Sequence, residues 1–190
     1  MIRRPPRSTR KESSAASDVY KRQIYDIEWE QFEHDCLGHQ QVELKDIHDK
    51  VGGFPKSLTH HNTMFYQKFF DNSEIDFTNL GNQLGIEAIT VSMIKQPPGM
   101  TNPMHRDTFY QINKKFPNEE RVKVRANIQL LDWKAGHFLQ FNDTVVTHWK
   151  AKTGHMWDST VLHLAANAGL EDRYSLQVSG FLNDTTHRTT

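Results

Sequence analysis

The sequence predicts a mainly β fold with helical material confined to its N-terminal side, closed as a sandwich or barrel. Three observations carry this. Short strand-like segments recur at intervals of about 8–12 residues beyond residue 88, separated by Gly, Pro and Asn turns. Residues 121–131 alternate strictly, with Val122, Val124, Ala126, Ile128 and Leu130 on one face and Arg121, Lys123, Arg125, Asn127 and Gln129 on the other. Residues 173–181 repeat that alternation, setting Tyr174, Leu176 and Val178 against Arg173, Ser175, Gln177 and Ser179.

Residues 1–23 differ from the rest. They are basic and Ser-rich, without apolar periodicity, and resemble translated sequencing-adapter read-through from a metagenomic assembly. We expect this leader to be non-native or disordered and the domain to run over 24–190, with helical support in 24–87 and the β core in 88–181. The chain has 23 basic and 23 acidic residues; without the leader's seven and two, 16 and 21 remain, a net charge of −5. An acidic body offers no footprint for a nucleic-acid backbone. The single cysteine, Cys36, permits no internal disulfide. No apolar run approaches the ~20 residues of a membrane span, so a cytoplasmic protein is expected.

In chain order, Ile24, Trp29 and Phe32 are placed to anchor a short strand and a helix, while His34, His39 and His48 follow no ligand spacing. Gly52, Gly53 and Pro55 mark a loop. The segment from Thr59 to Asn62 is expected to cap a helix through Met64, Phe65, Phe69 and Phe70, and Asp76 or Thr78 to cap a second one ending at Gly85. Ile89, Val91 and Met93 then alternate with Thr90 and Ser92 until Pro97-Pro98-Gly99 forces a turn. Residues 111–121 read as a polar loop on a cavity rim. Residues 138–149 suggest a hairpin around Asn142-Asp143, and 160–164 a short strand carrying His163.

The chemistry concentrates in Met104-His105-Arg106-Asp107, in His163, and in Arg173-Tyr174-Ser175. Alternate residues of a strand share a face, so His105 and Asp107 are expected to project together. With one histidine from a distant strand they form the two-His-one-carboxylate set that holds non-haem Fe(II) from one side. Arg173 and Ser175, ten and twelve positions beyond His163, offer a guanidinium fork and a hydroxyl to a carboxylate. Arg125 and Asn127 face either solvent or, in a barrel with a charged occupant, its cavity. Met104, Thr108, Phe109 and Trp149 are candidates for the cavity mouth.

His-x-Asp…His followed ten residues later by Arg-x-Ser resembles the Fe(II)/2-oxoglutarate-dependent oxygenases. The resemblance covers about half the chain, residues 88–181. It implies a double-stranded β-helix, a jelly-roll and cupin-like barrel. It also implies that His105, Asp107 and His163 are the metal ligands and that 2-oxoglutarate chelates the iron beside a site for O₂. The far carboxylate of 2-oxoglutarate would meet Arg173 and Ser175, with Arg125 and Asn127 as further cosubstrate contacts. The implied reaction hydroxylates a C–H bond of a small molecule or amino-acid side chain and releases succinate and CO₂. In this superfamily Asp107, where halogenases carry Gly or Ala, favours hydroxylation or desaturation. Residues 125–130 and the run Trp157…His163…Asn167…Arg173 also resemble the aspartyl/asparaginyl hydroxylase-like branch, which commonly lacks the carboxylate ligand and for which the gap between His105 and Arg125 is long; the expectation is therefore the superfamily and not the branch. The alternative is a cupin-like metal-binding jelly roll without 2-oxoglutarate turnover. Cupin enzymes that work without a cosubstrate usually carry His-x-His, which this chain lacks.

Overall fold

The computed structural model describes residues 20–23, 40–43, 50 and 64–183. Its elements are β1 (Tyr20–Gln23), β2 (Gln40–Glu43), β3 (Met64–Phe70), α1 (Phe77–Leu84), β4 (Ile86–Gln96), β5 (Thr101–His105), α2 (Tyr110–Lys115), β6 (Lys123–Gln129), β7 (His137–Phe141), β8 (Thr144–Val146), β9 (Thr153–Asp158), β10 (His163–Asn167) and β11 (Arg173–Leu182). A seven-stranded sheet runs β1-β9-β6-β11-β4-β3-β2, and a four-stranded sheet runs β5-β10-β7-β8. All pairings are antiparallel. From β4 onward successive strands mostly alternate between the two sheets, which is the jelly-roll, double-stranded β-helix winding that was expected.

The larger sheet is apolar on its outer face. Val91 and Met93 of β4, Ala126 and Ile128 of β6, and Leu176 and Val178 of β11 are fully buried there. Leu80 and Leu84 of α1 close over the same cluster. Burial of each such aliphatic side chain contributes about 1.5–3 kcal/mol. Asp76 caps α1 by accepting from the Asn79 amide, and Gly85 ends it in the left-handed region.

Two expectations need correction. Met64–Phe70 is a strand, not a helix: its aromatics pair along the free edge of β4, Phe70 joining the outer core while Phe65, Gln67 and Phe69 face the space between the sheets. Among the described residues of 24–87, α1 and Lys50 are helical. Residues 111–121 are not wholly loop, because Phe109, Ile112 and Phe116 recur at helical spacing and α2 buries Ile112 against Phe109 and Phe181. Tyr20–Gln23, within residues 1–23, pairs with the otherwise open edge of β9, whose backbone groups need partners. The cap at residues 59–62, the elements expected around Ile24, Trp29 and Phe32, and the histidines at 34, 39 and 48 lie outside the described residues. Among the described residues no helix is long and apolar enough to cross a membrane.

Gly136 (φ +91°) and Gly169 hold the turns at the base of β7 and β10 in contact. A Cβ on Gly136 would lie 2.3 Å from the Gly169 nitrogen. Gly136→Ala should cost about 2 kcal/mol or more, whereas Gly99→Ala, with φ +80° but open space around it, should cost about 1 kcal/mol. Urea denaturation of the two variants checks the order.

Candidate metal centre

Strand register brings the two histidines together. His163 opens β10 directly opposite His105, the last residue of β5, and their rings lie 4.2 Å apart. Asp107 sits two residues past the end of β5, in loop rather than strand, so the chain's turn and not strand alternation aims its carboxylate. His105 Nε2 is 3.9 Å and His163 Nε2 3.6 Å from the Asp107 oxygens. The three candidate donors all lie within 4.8 Å of one another, and all three residues are buried.

Each histidine is fixed in one tautomer. The Nδ1 of His105 donates to the Pro103 carbonyl at 2.8 Å, and that of His163 to the Val161 carbonyl at 3.2 Å. A carbonyl only accepts, so the proton sits on Nδ1 and the Nε2 lone pairs face inward. Burial, and then the neighbouring His163, pushes the His105 pKa down to about 4; burial likewise lowers that of His163. For Asp107 burial alone would raise the pKa, but Arg125, both histidines and Trp157 outweigh it and hold the carboxyl below its usual value. Two neutral imidazoles and one carboxylate is the protonation state a divalent metal needs. The donor set thus fits Fe(II), with His105, Asp107 and His163 as the residues that would hold it.

The carboxylate is itself held. Trp157 Nε1 donates to Asp107 Oδ2 at 2.8 Å, and Arg125 Nη1 makes a short ion pair with Oδ1. Each carboxylate oxygen has two lone pairs, so both contacts leave one for a metal. Trp157 also packs against His163, with centroids 4.7 Å apart, and Phe141 against Trp157. These rings form a dry wall behind the donors.

Arg173 lies on the inner face of β11 and is buried. Its Nη1 donates to Gln96 at 3.1 Å and its Nη2 to Gln129 at 3.0 Å and Asn127 at 3.5 Å. Among the described residues its Nε has no partner, and its guanidinium stands 5.7 Å from the Trp149 ring. All these acceptors are neutral amides, and burial pushes its pKa down to about 10. Asn127 donates to Ser175 Oγ at 3.2 Å and accepts from Gln129 at 2.6 Å.

The predicted site residues therefore fall into two groups: His105, Asp107, His163 and Arg125 around the metal set, and Arg173, Ser175 and Asn127 in an amide-lined recess. Arg125 and Asn127 both face between the sheets and not solvent. Thr108 and Phe109 line a cavity of about 340 Å³ that opens onto His105 and Asp107, whereas Met104 and Trp149 do not line it. Gln96 carries no signal in the sequence. Gln129 shares the polar face of Arg125 and Asn127, and Trp157 belongs to the run that resembles the aspartyl/asparaginyl hydroxylase-like branch, but neither was expected to hold another site residue in place.

The metal-free protein should lose stability between pH 6.5 and 4. An unfolded histidine protonates near pH 6.5 and the folded His105 only near 4, so the unfolded state takes up the proton first. Stability is complete above ~6.5 and falls as pH drops, by about 1–2 kcal/mol at pH 5. Urea midpoints at pH 7 and 5 measure it, and His105→Gln should shrink the difference.

No family model and no curated protein sequence matches this chain. Solved structures do. A prolyl-4-hydroxylase from Pseudomonas putida is similar at TM-score 0.53 and 15% identity, over 88% of this chain and 94% of that one. A non-haem α-ketoglutarate-dependent epimerase from nogalamycin biosynthesis is similar at TM-score 0.51 and 11% identity, over 86% of this chain and 77% of that one. At these identities the likeness is one of fold: this chain has the jelly-roll architecture on which those enzymes are also built.

Proposed function

We propose that the chain is an Fe(II)- and 2-oxoglutarate-dependent oxygenase that hydroxylates an unactivated C–H bond of a small molecule or amino-acid side chain. The observation that carries this is Arg173. A buried guanidinium costs several kcal/mol unless paired, and among the described residues Arg173 has only neutral acceptors and an idle Nε. A carboxylate would supply the missing charge, and the two structural neighbours above are a prolyl hydroxylase and an α-ketoglutarate-dependent epimerase.

In this reading His105, Asp107 and His163 hold the iron, and Arg173 with Ser175 holds the far carboxylate of 2-oxoglutarate, steadied by Asn127 and Gln129. When bound, iron and 2-oxoglutarate supply the oxidising chemistry, by which one oxygen atom of O₂ passes to the substrate and the other to succinate, with release of CO₂. The protein's own residues do the positioning. Trp157 and Arg125 fix the rotation of the Asp107 carboxylate, the Nδ1 bonds to Pro103 and Val161 fix both rings, and Phe141 with Trp157 excludes water from behind them. The hydroxyl is placed on whatever C–H bond the cavity beside His105 presents.

A second reading, a cupin-like metal-binding protein without turnover, draws on one observation. The 340 Å³ cavity reaches His105, Asp107 and Arg125 but not Arg173 or Ser175, so a 2-oxoglutarate molecule must displace part of the amide packing to enter. Anaerobic titration with Fe(II) and then 2-oxoglutarate separates the two. The oxygenase should develop the weak visible charge-transfer band of chelated cosubstrate, and Asp107→Ala should abolish it. Arg173→Met should weaken 2-oxoglutarate binding by about 2–5 kcal/mol while leaving iron binding intact. Iron binding with no band would instead select the cupin-like protein.

A further inference from the structure

Two polar atoms of residues on the cavity wall have no partner among the described residues, and they are of opposite kinds. Arg125 spends Nε on Ser179 Oγ at 3.1 Å and Nη1 on Asp107. Gln177, oriented so that both ends of its amide are satisfied, accepts from the same Nη1 at 3.1 Å and from Nε at 3.3 Å. Neither contact involves Nη2, which has no partner among the described residues. The guanidinium carbon sits 5.4 Å from the Phe109 ring, and both residues line the cavity. Asn102, also on the cavity wall, has a buried Oδ1 that accepts no hydrogen bond.

The charge balance of the lining narrows the occupant. Asp107 is the only acidic residue among the described residues of the cavity wall, and Arg125 and Trp157 already hold it. A ligand ammonium would therefore find no free carboxylate, whereas a ligand carboxylate would find Arg125. Phe65, Phe69, Phe109 and Ile112 supply apolar wall. A volume of about 340 Å³ lies at the small end of ligand pockets.

We propose that this cavity takes a small carboxylate with an apolar body and a neutral N–H donor, the chemistry of an N-acylated amino acid. Arg125 Nη2 anchors the carboxylate, and a turn of the Asn102 side chain, whose Oδ1 is buried and without a partner among the described residues, lets that oxygen accept the N–H. That this molecule is the one oxidised rests on the oxygenase reading above; that it binds does not.

Calorimetric titration of the full chain, metal-free and then loaded anaerobically with Fe(II) and 2-oxoglutarate, tests the proposal. The probes are N-acetyl-L-leucine, its neutral C-terminal amide and free L-leucine. The acid should bind at least tenfold more tightly than either of the others. Arg125→Gln should erase its advantage over the amide, and Arg125→Lys should keep part of it. Asn102→Ala should weaken acid and amide alike. Equal affinity for acid and amide, an advantage that survives Arg125→Gln, or no binding of the acid overturns the proposal. Should Arg125→Gln not fold, the comparison of acid with amide in wild type still decides. Acid binding in a protein that forms no charge-transfer band would remove the oxygenase reading and leave this one standing; a band without acid binding would do the reverse.

Discussion

Two guanidinium groups point into the space between the sheets, and the structure is arranged around that constraint. A guanidinium carries five N–H donors and no acceptor, so an interior containing two of them must be lined with oxygen. The inner faces of β4, β6 and β11 supply it: Ser92 and Gln96, Asn127 and Gln129, Ser175, Gln177 and Ser179. Arg125 is given a carboxylate and stays partly open to the cavity. Arg173 is given amides and is buried. That difference in partners makes one arginine a brace for Asp107 and leaves the other short of a counter-charge.

Once the inner face is polar, the apolar face of the same strands must be buried elsewhere. Alternation leaves it no choice but the outer side of the larger sheet, where Val91, Met93, Ala126, Ile128, Leu176 and Val178 pack beneath Leu80 and Leu84 of α1. The hydrophobic core of this fold thus lies mainly outside the barrel, and the interior is freed for chemistry. A smaller aromatic cluster, Phe141, Trp149 and Trp157 with Leu139 and Val161, closes one end of that interior. It keeps water from two sides of the histidine pair.

The metal set is prepared by contacts that do not involve a metal. Backbone carbonyls fix the tautomer of each imidazole, burial keeps both neutral, and an arginine and an indole hold the carboxylate ionised and oriented. Preorganisation of this kind lowers the cost of assembling ligands around a dication, because the rotamers and protons are already in place. The ion pair of Arg125 with Asp107 also couples the metal set to the cavity, since Arg125 both holds the carboxylate and lines the open volume.

What the sequence by itself determined was periodic or strictly local. The alternation over 121–131 and 173–181 placed Arg125, Asn127, Arg173 and Ser175 on one face each. The Asp76 and Gly85 signals bounded α1, and the order His105, Asp107, His163, Arg173 named the chemical groups. Which side of a strand is inside was not local, because a polar face is stable against water or against a lined cavity alike; only the opposing sheet and α1 decided it. The strand at Met64–Phe70 was not local for a related reason: seven residues rich in aromatics suit a helix or a strand alike, and pairing with β4 on one side and β2 on the other decided it. Trp157, Gln96 and Gln129 owe their roles to partners 44 to 77 residues away. Pairing at that separation is set by strand register, which no short stretch of sequence contains.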